Sequence, residues 1–320
     1  MNQANAMNES EWPEGEALQA GLARGDAAAS RIGPILGHLL STRDQSLFSD
    51  AIVVRVRGML FDLAGQVLRV QAEATGQKGR EEFANRHSER LAELFFGNPE
   101  LVAHCHAAAL EWQLTERLSD EFGIDPVLSP LVQSLIGHED ALIASAAMGL
   151  LAAQARFVQA QKRMAMPLAE LRGDLLHETL LCWRAFNADE ASDALTRAEG
   201  RLRENFDEGA GRLALLDRVV TALGQEANSG LAIEQGGVAL FLSILALRSG
   251  QPRDIAAVST NRQQIARLAL GLRACGLRPD EVVAQLLRIH PGSSPPSGLD
   301  HIGTREAAQI LAQSPAGSRG

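Results

Sequence analysis

The chain has 320 residues, of which 46% are hydrophobic and 22% are charged. This balance excludes wholesale disorder, and a chain of this length can bury a substantial core. The formal net charge of −9 opposes a general attraction to nucleic acid or anionic lipid, and leaves open only a local basic face. Aromatic residues make up 4% and tyrosine is absent, so small and aliphatic side chains must fill the core, which favours helix packing.

The two ends of the chain differ in composition from the middle. Residues 1–30 are acidic and weakly patterned, and residues 291–320 are rich in Pro, Gly and Ser, so we predict two mobile tails, with a helix near 304–312. The amino terminus has no secretory signal pattern, and no apolar run approaches the roughly 20 residues that span a bilayer. The three cysteines are far apart and lie in apolar helical patterns, which is typical of free thiols. We therefore expect a cytoplasmic protein without a membrane span.

Helical spacing dominates the first half of the chain. Apolar residues recur every three or four positions from Ile52 to Val70, which predicts a long helix, and residues 75–80 form a polar loop. Helices over 81–96, 99–122 and 127–136 should follow. After Gly137, an apolar stripe predicts a long interior helix. The members of this stripe are Leu142, Ala146, Gly149, Leu150, Ala153, Phe157, Ala160 and Met164.

The second half of the chain continues the helical pattern. A helix over 168–183 precedes the polar segment 187–193, which we interpret as the boundary between a lobe of residues 31–186 and a lobe of residues 187–290. Later helices are expected at 194–205 and 211–223, and then, after a glycine-interrupted connection, up to about 248, from Pro252, over 261–275 and over 279–289. Four matching residues that stand 41 positions apart in two of the long helices give a faint echo of a helical repeat.

The last structured block resembles a known family. Its Arg273-Ala274-Cys275-Gly276-Leu277 segment and the apolar helices on either side are similar to the carboxy-terminal part of a family of uncharacterised all-helical bacterial proteins. The likeness covers mainly residues 238–291 and rests on packing residues. It implies a helical-repeat-like fold in a bacterial cytoplasm, and it implies no activity, cofactor or catalytic residue.

Residue patterns for catalysis or metal binding do not occur in this sequence. His104 and His106 are two apart on a predicted helix, so they point away from each other and cannot close on one ion. His177-Glu178 begins a zinc-protease pattern, but the position of its second histidine is Leu181. Asp174 and Glu178 could share a proton, although an exposed acidic face explains them better. We therefore predict no catalytic residues, no cofactor and no metal.

One segment is typical of DNA-binding proteins. Residues 252–272 have the pattern of a helix, a turn and a second helix, as in a helix-turn-helix. The second helix opens with residue types that can contact bases in a major groove. These candidate nucleic-acid-binding residues are Arg262, Gln263, Gln264 and Arg267. The negative net charge and the missing turn glycine oppose this alternative, so nucleic acid is an unlikely partner.

Together these patterns predict an all-α protein of antiparallel helical pairs in two lobes, for which a short solenoid-like array is one allowed arrangement. Five large side chains are expected in its core, namely Trp112, Leu142, Phe157, Met164 and Trp183. The preferred function is that of a non-enzymatic scaffold or regulatory adaptor that offers a helix groove or a concave face to another protein. DNA binding through residues 252–272 is the alternative.

Overall fold

The computed structural model describes residues 16–27, 50–189 and 192–314. In these residues every regular element is a helix, which confirms the all-α class. Two predictions, the mobility of residues 1–15 and 315–320 and the start of the first lobe at residue 31, lie outside the described residues. The α-helices, in chain order, are α1 (16–27), α2 (Asp50–Ala74), α3 (Arg80–Phe96), α4 (Pro99–Phe122), α5 (Pro130–Ile136), α6 (Ala141–Lys162), α7 (Gly173–Phe186), α8 (Asp193–Glu204), α9 (Arg212–Leu223), α10 (Ile233–Ser249), α11 (Arg253–Ser259), α12 (Ile265–Ala274), α13 (Pro279–Ile289) and α14 (Thr304–Ala312).

Local signals set several helix ends. The Asn98 side chain accepts hydrogen bonds from the amides of Glu100 and Leu101 at 3.1 and 3.0 Å, and Pro99 occupies the first turn of α4. Gly123 ends the same helix in the left-handed conformation. The expected glycine-interrupted connection is shorter than predicted, because α10 already begins at Ile233 and accommodates Gly237 as a kink with φ +66°.

Two hydrophobic cores meet along α4. The first core joins α2, α3, the amino-terminal half of α4, α7 and α8. The second joins α1, the carboxy-terminal half of α4, α5, α6 and the helices from α9 onward. The predicted boundary at 187–193 therefore does not separate the cores, because α8 packs on α2 in the first core and α6 belongs to the second.

Contacts between helices that are distant in sequence hold the fold together. α2 packs on α8 as well as on α3, which follows it directly, and α4 packs on α11. In a solenoid each repeat contacts only its neighbours, so a solenoid-like arrangement is not confirmed.

Parts of both predicted mobile tails are packed into the second core. Leu18 and Leu22 of α1 are buried, and so are Leu299 and Ile302 ahead of α14. The polar composition of these segments concealed a few well-spaced apolar side chains that can pack into a core. The helix expected near 304–312 is confirmed as α14.

Candidate functional site

A buried ionic cluster lies where the two cores meet. Nη1 of Arg212 donates to Oε1 of Glu111 at 2.8 Å, and its Nε donates to Oε2 of Glu170 at 2.8 Å. Arg253 donates to both oxygens of Glu111, at 2.8 and 3.0 Å. The Arg212 guanidinium also stacks 3.5 Å from the ring centroid of Phe157. Two carboxylates and two guanidinium groups thus balance in the interior; we call these four charged residues the ionic junction.

The ionic junction holds the Glu111 carboxylate in the charged form. Burial alone would raise the pKa of Glu111, but the charges and hydrogen bonds of Arg212 and Arg253 outweigh it and hold that pKa well below its usual range. A general acid or base needs a pKa near the working pH. Since both Glu111 oxygens are occupied by guanidinium donors, the junction is suited to joining α4, α9 and α11 and poorly suited to proton transfer.

A second polar group adjoins the ionic junction. Nε2 of His104 lies 3.0 Å from the carbonyl oxygen of Glu170, and Nδ1 lies 3.4 Å from Asp254. Arg172 donates to the same Asp254 carboxylate at 3.1 Å. Burial would raise the pKa of Asp254, but His104, Arg172 and Arg253 lower it to about 2. These contacts tie α4 and α11 to the turn before α7.

The fold should lose stability as the pH falls below about 6.5, the ordinary pKa of histidine. Burial lowers the pKa of His106 to about 4, below its unfolded value of about 6.5. A depressed histidine pKa contributes stability that is full above pH ~6.5 and is lost as the pH falls toward 4, with a slope of at most about 1.4 kcal/mol per pH unit. Asp254, whose pKa is also depressed, adds a loss below its unfolded value of about 3.9. Urea unfolding at a series of pH values should therefore show stability falling on acidification. His106→Gln should flatten the slope between pH ~6.5 and ~4.

The structure separates the four candidate nucleic-acid-binding residues. Arg262 and Gln263 are exposed, whereas Gln264 is 3% and Arg267 is 1% exposed. The Gln264 amide donates to the carbonyl of Gly25. Residues 262–264 form a 3₁₀ turn, and α12 begins only at Ile265. The four residues therefore do not form one exposed surface that could contact DNA, because Gln264 and Arg267 are buried.

Arg267 joins α1 to the segment after α14 through buried hydrogen bonds with Asp26, Gln251 and Ser314, and we call these four residues the Arg267 clasp. Its Nη1 donates to Oε1 of Gln251 at 2.6 Å, and its Nη2 donates to Asp26 of α1 and to Ser314 beyond α14. Ser314 in turn donates to Asp26 at 2.6 Å. Sequence reasoning gave no signal for this ion pair, because its partners are 241 residues apart.

The remaining sequence candidates occupy ordinary structural positions. Among the described residues, no three His, Cys, Asp or Glu side chains are grouped as metal ligands. Asp174 pairs with Arg172 at 3.1 Å, and Glu178 accepts from Asn98 at 2.8 Å, so these two carboxylates are engaged separately. The cysteines are free thiols; Cys105 and Cys275 are buried and Cys182 is half-buried.

Helix α6 presents two large apolar side chains to solvent. Its buried side includes Ala146, Leu150 and Phe157. On the opposite side, Leu142 is 81% and Met148 is 54% exposed. The exposed positions from Leu142 to Gln159 recur at intervals of three and four; they are Leu142, Ser145, Met148, Ala152, Arg156 and Gln159, and we call them the α6 face.

Two predicted core members thus lie outside the core. Leu142 belongs to the α6 face, and Met164, which is 37% exposed, follows the end of α6 with a positive φ of 54°. The predictions for Phe157, Trp112 and Trp183 are confirmed, since all three are buried. The 41-residue echo pairs buried Leu101 with exposed Leu142, so its two members lie in different environments.

Helix α6 is also the one helix of the described residues that is long and apolar enough to cross a membrane. Its most apolar window has a mean hydropathy of 1.6, and 33% of that window is buried in the fold. The sequence prediction overlooked this segment because Ser145 and Gln154 interrupt the apolar residues. Low burial leaves much of this apolar helix without a packing partner among the described residues.

An open cleft of 650 Å³ lies between α2 and the carboxy-terminal end of α6. Within its lining Met164 packs closely on Gly58, where an added Cβ would lie 2.9 Å from the Met164 Cβ. Three arginines and one aspartate line it, which makes the cleft locally basic in an acidic protein. These residues are Arg69, Arg156, Arg163 and Asp62.

Asp62 helps to shape this cleft. It accepts hydrogen bonds from the Gln66 side chain at 2.7 Å and from the Met166 amide at 3.0 Å, which fixes the chain segment after α6 against α2. Burial raises the pKa of Asp62, and the hydrogen bonds only partly oppose it. The cleft and the α6 face are continuous, because Gln159 belongs to both.

No protein-family model matches the chain, and neither a curated protein nor a solved structure does. The resemblance over residues 238–291 therefore stays a prediction.

Proposed function

We propose that this protein is a non-enzymatic scaffold or adaptor that binds a helix of another protein chain on the α6 face and in the adjoining cleft. The observation that carries the proposal is the exposure of Leu142 and Met148 on one side of a 22-residue apolar helix. Helix-in-groove recognition lays the apolar side chains of one helix against a hydrophobic surface of its partner. Covering these side chains with a partner helix would remove their apolar surface from water.

The buried charges support a structural role for the interior. The ionic junction and the Arg267 clasp satisfy their charges within the chain, and neither opens onto the cleft lining. DNA binding remains the alternative, and no contact of Arg262 or Gln263 favours it. The free thiols are consistent with a reducing compartment, so we place the proposed scaffold in the cytoplasm.

Site-specific cross-linking in living cells tests the proposal. A photoreactive amino acid that replaces Met148 should give a covalent adduct with a protein chain, because the α6 face is covered in the cell. The same group in place of exposed Glu89 on α3 should give none. Adding Leu142→Glu should suppress the Met148 adduct, since a charge on the face costs binding free energy. Equal labelling from Met148 and Glu89, or no adduct at all, contradicts the proposal.

A further inference from the structure

The two ends of α6 carry opposite charges. Glu139 and Asp140 are exposed at its amino-terminal end, and Arg156, Lys162 and Arg163 are exposed toward its carboxy-terminal end. Asp140 also caps the helix, accepting from the Leu142 amide at 2.8 Å. The α6 face runs between these two charged ends. A helix with this distribution is complementary in charge to an antiparallel copy of itself.

We propose that the occupant of the α6 face is α6 of a second copy of this chain, packed antiparallel about a twofold axis near Leu150 and Leu151. This inference rests on the proposed function, for which it names the partner. In a twofold interface the same patch serves both copies, so the patch must complement itself. The opposed charges of its two ends meet that condition.

The spacing of the α6 face fits the same arrangement. An axis near residues 150 and 151 places Leu142 opposite Gln159 of the second copy and Ser145 opposite its Arg156. Met148 then lies beside Ala152 of the second copy. Small side chains at Ser145 and Ala152 leave room for the two backbones to approach, as close helix packing requires.

The cleft completes each end of the interface. Leu142 of the second copy lies opposite Gln159, at the mouth of the cleft, where Met164 and Gly58 offer apolar surface. Its Glu139 and Asp140 then lie near Lys162 and Arg163. The arrangement therefore covers Leu142 of each copy and places its carboxylates against Lys162 and Arg163 of the other.

Charge also selects the antiparallel direction. A parallel pair would place Glu139 against Glu139 at one end and Lys162 against Lys162 at the other, and like charges that face each other disfavour the complex. Antiparallel packing also opposes the two helix dipoles favourably. The net charge of −9 repels two copies in general, so association needs this local complementarity.

Two charge variants and their mixture test the proposal. Glu139→Arg with Asp140→Asn, which keeps a capping side chain at position 140, makes both ends of α6 basic, and Lys162→Glu with Arg163→Glu makes both ends acidic. Sedimentation equilibrium of the full chain over the micromolar range should show each variant alone dissociating at least about tenfold more readily than the unmodified protein. An equimolar mixture should recover the dimer, because each copy then complements the other. Recovery also shows that both variants are folded, and the exposed Glu89→Arg should dimerise normally.

Three results would overturn the second-copy inference. They are a monomeric unmodified protein, a mixture that stays as dissociated as its components, and lipid vesicles that bind the unmodified protein but not Met148→Glu. A monomer whose Met148 position still cross-links to a different protein retains the proposed function and rejects only the dimer. A monomer without any cross-link rejects both.

Discussion

Replacing Arg212 with alanine should lower the free energy of unfolding by about 3–5 kcal/mol, as expected when one partner of a buried ion pair is removed. Arg212 is the guanidinium that joins Glu111 to Glu170, and all three side chains are buried. Without it Glu170 loses its ionic partner, Glu111 keeps only Arg253, and Phe157 loses a stacked neighbour. Urea denaturation monitored by circular dichroism measures the loss.

An exposed pair provides the matched control. Arg80 donates to Glu73 at 2.8 Å, and both side chains are more than half exposed. Arg80→Ala should cost less than about 1 kcal/mol, because solvent screens such pairs. If Arg212→Ala were no more destabilising than Arg80→Ala, the ionic junction would not hold the two cores together.

The Arg267 clasp should be comparably important. Arg267→Ala leaves the buried carboxylate of Asp26 without its ionic partner, at a cost of about 3–5 kcal/mol. Because Asp26 lies in α1 and Ser314 follows α14, we expect both ends of the described chain to loosen. Hydrogen exchange should accelerate in residues 16–27 and 304–314 before it does so in α4.

A double variant separates the charge from the packing. Arg267→Met combined with Asp26→Leu removes both charges and keeps apolar volume, a change that is often neutral or stabilising for a buried pair. It should restore most of the stability that Arg267→Ala loses. Unchanged exchange in residues 16–27 of Arg267→Ala would show that the clasp does not tether α1.

Features that depend on neighbouring residues were predictable from the sequence. The start of α4 follows from Asn98 and Pro99, whose side chains act within one turn of their own position. The helical class follows from the spacing of apolar residues, which the helix geometry imposes directly. Both depend on the chain only a few positions away.

Features that depend on distant residues were not predictable. Every side of α12 from Ala266 to Leu272 is buried, so Arg267 had to enter the core with a partner, but Asp26 is 241 positions away. Helix α6 is apolar around most of its circumference, so its sequence could not distinguish the side that packs on α9 from the side that faces solvent. For this reason the sequence pattern predicts Leu142 in the core, whereas the structure shows that its side chain is exposed and belongs to the α6 face.

Sedimentation equilibrium of the unmodified chain beside Met148→Glu tests the role of the α6 face most directly. The apparent mass of the unmodified protein should rise with concentration from 34.2 kDa toward twice that value. The apparent mass of Met148→Glu should stay at 34.2 kDa, and its circular dichroism spectrum should match that of the unmodified protein. Equal masses for the two proteins at every concentration would contradict the account of α6 as a surface that a second copy covers.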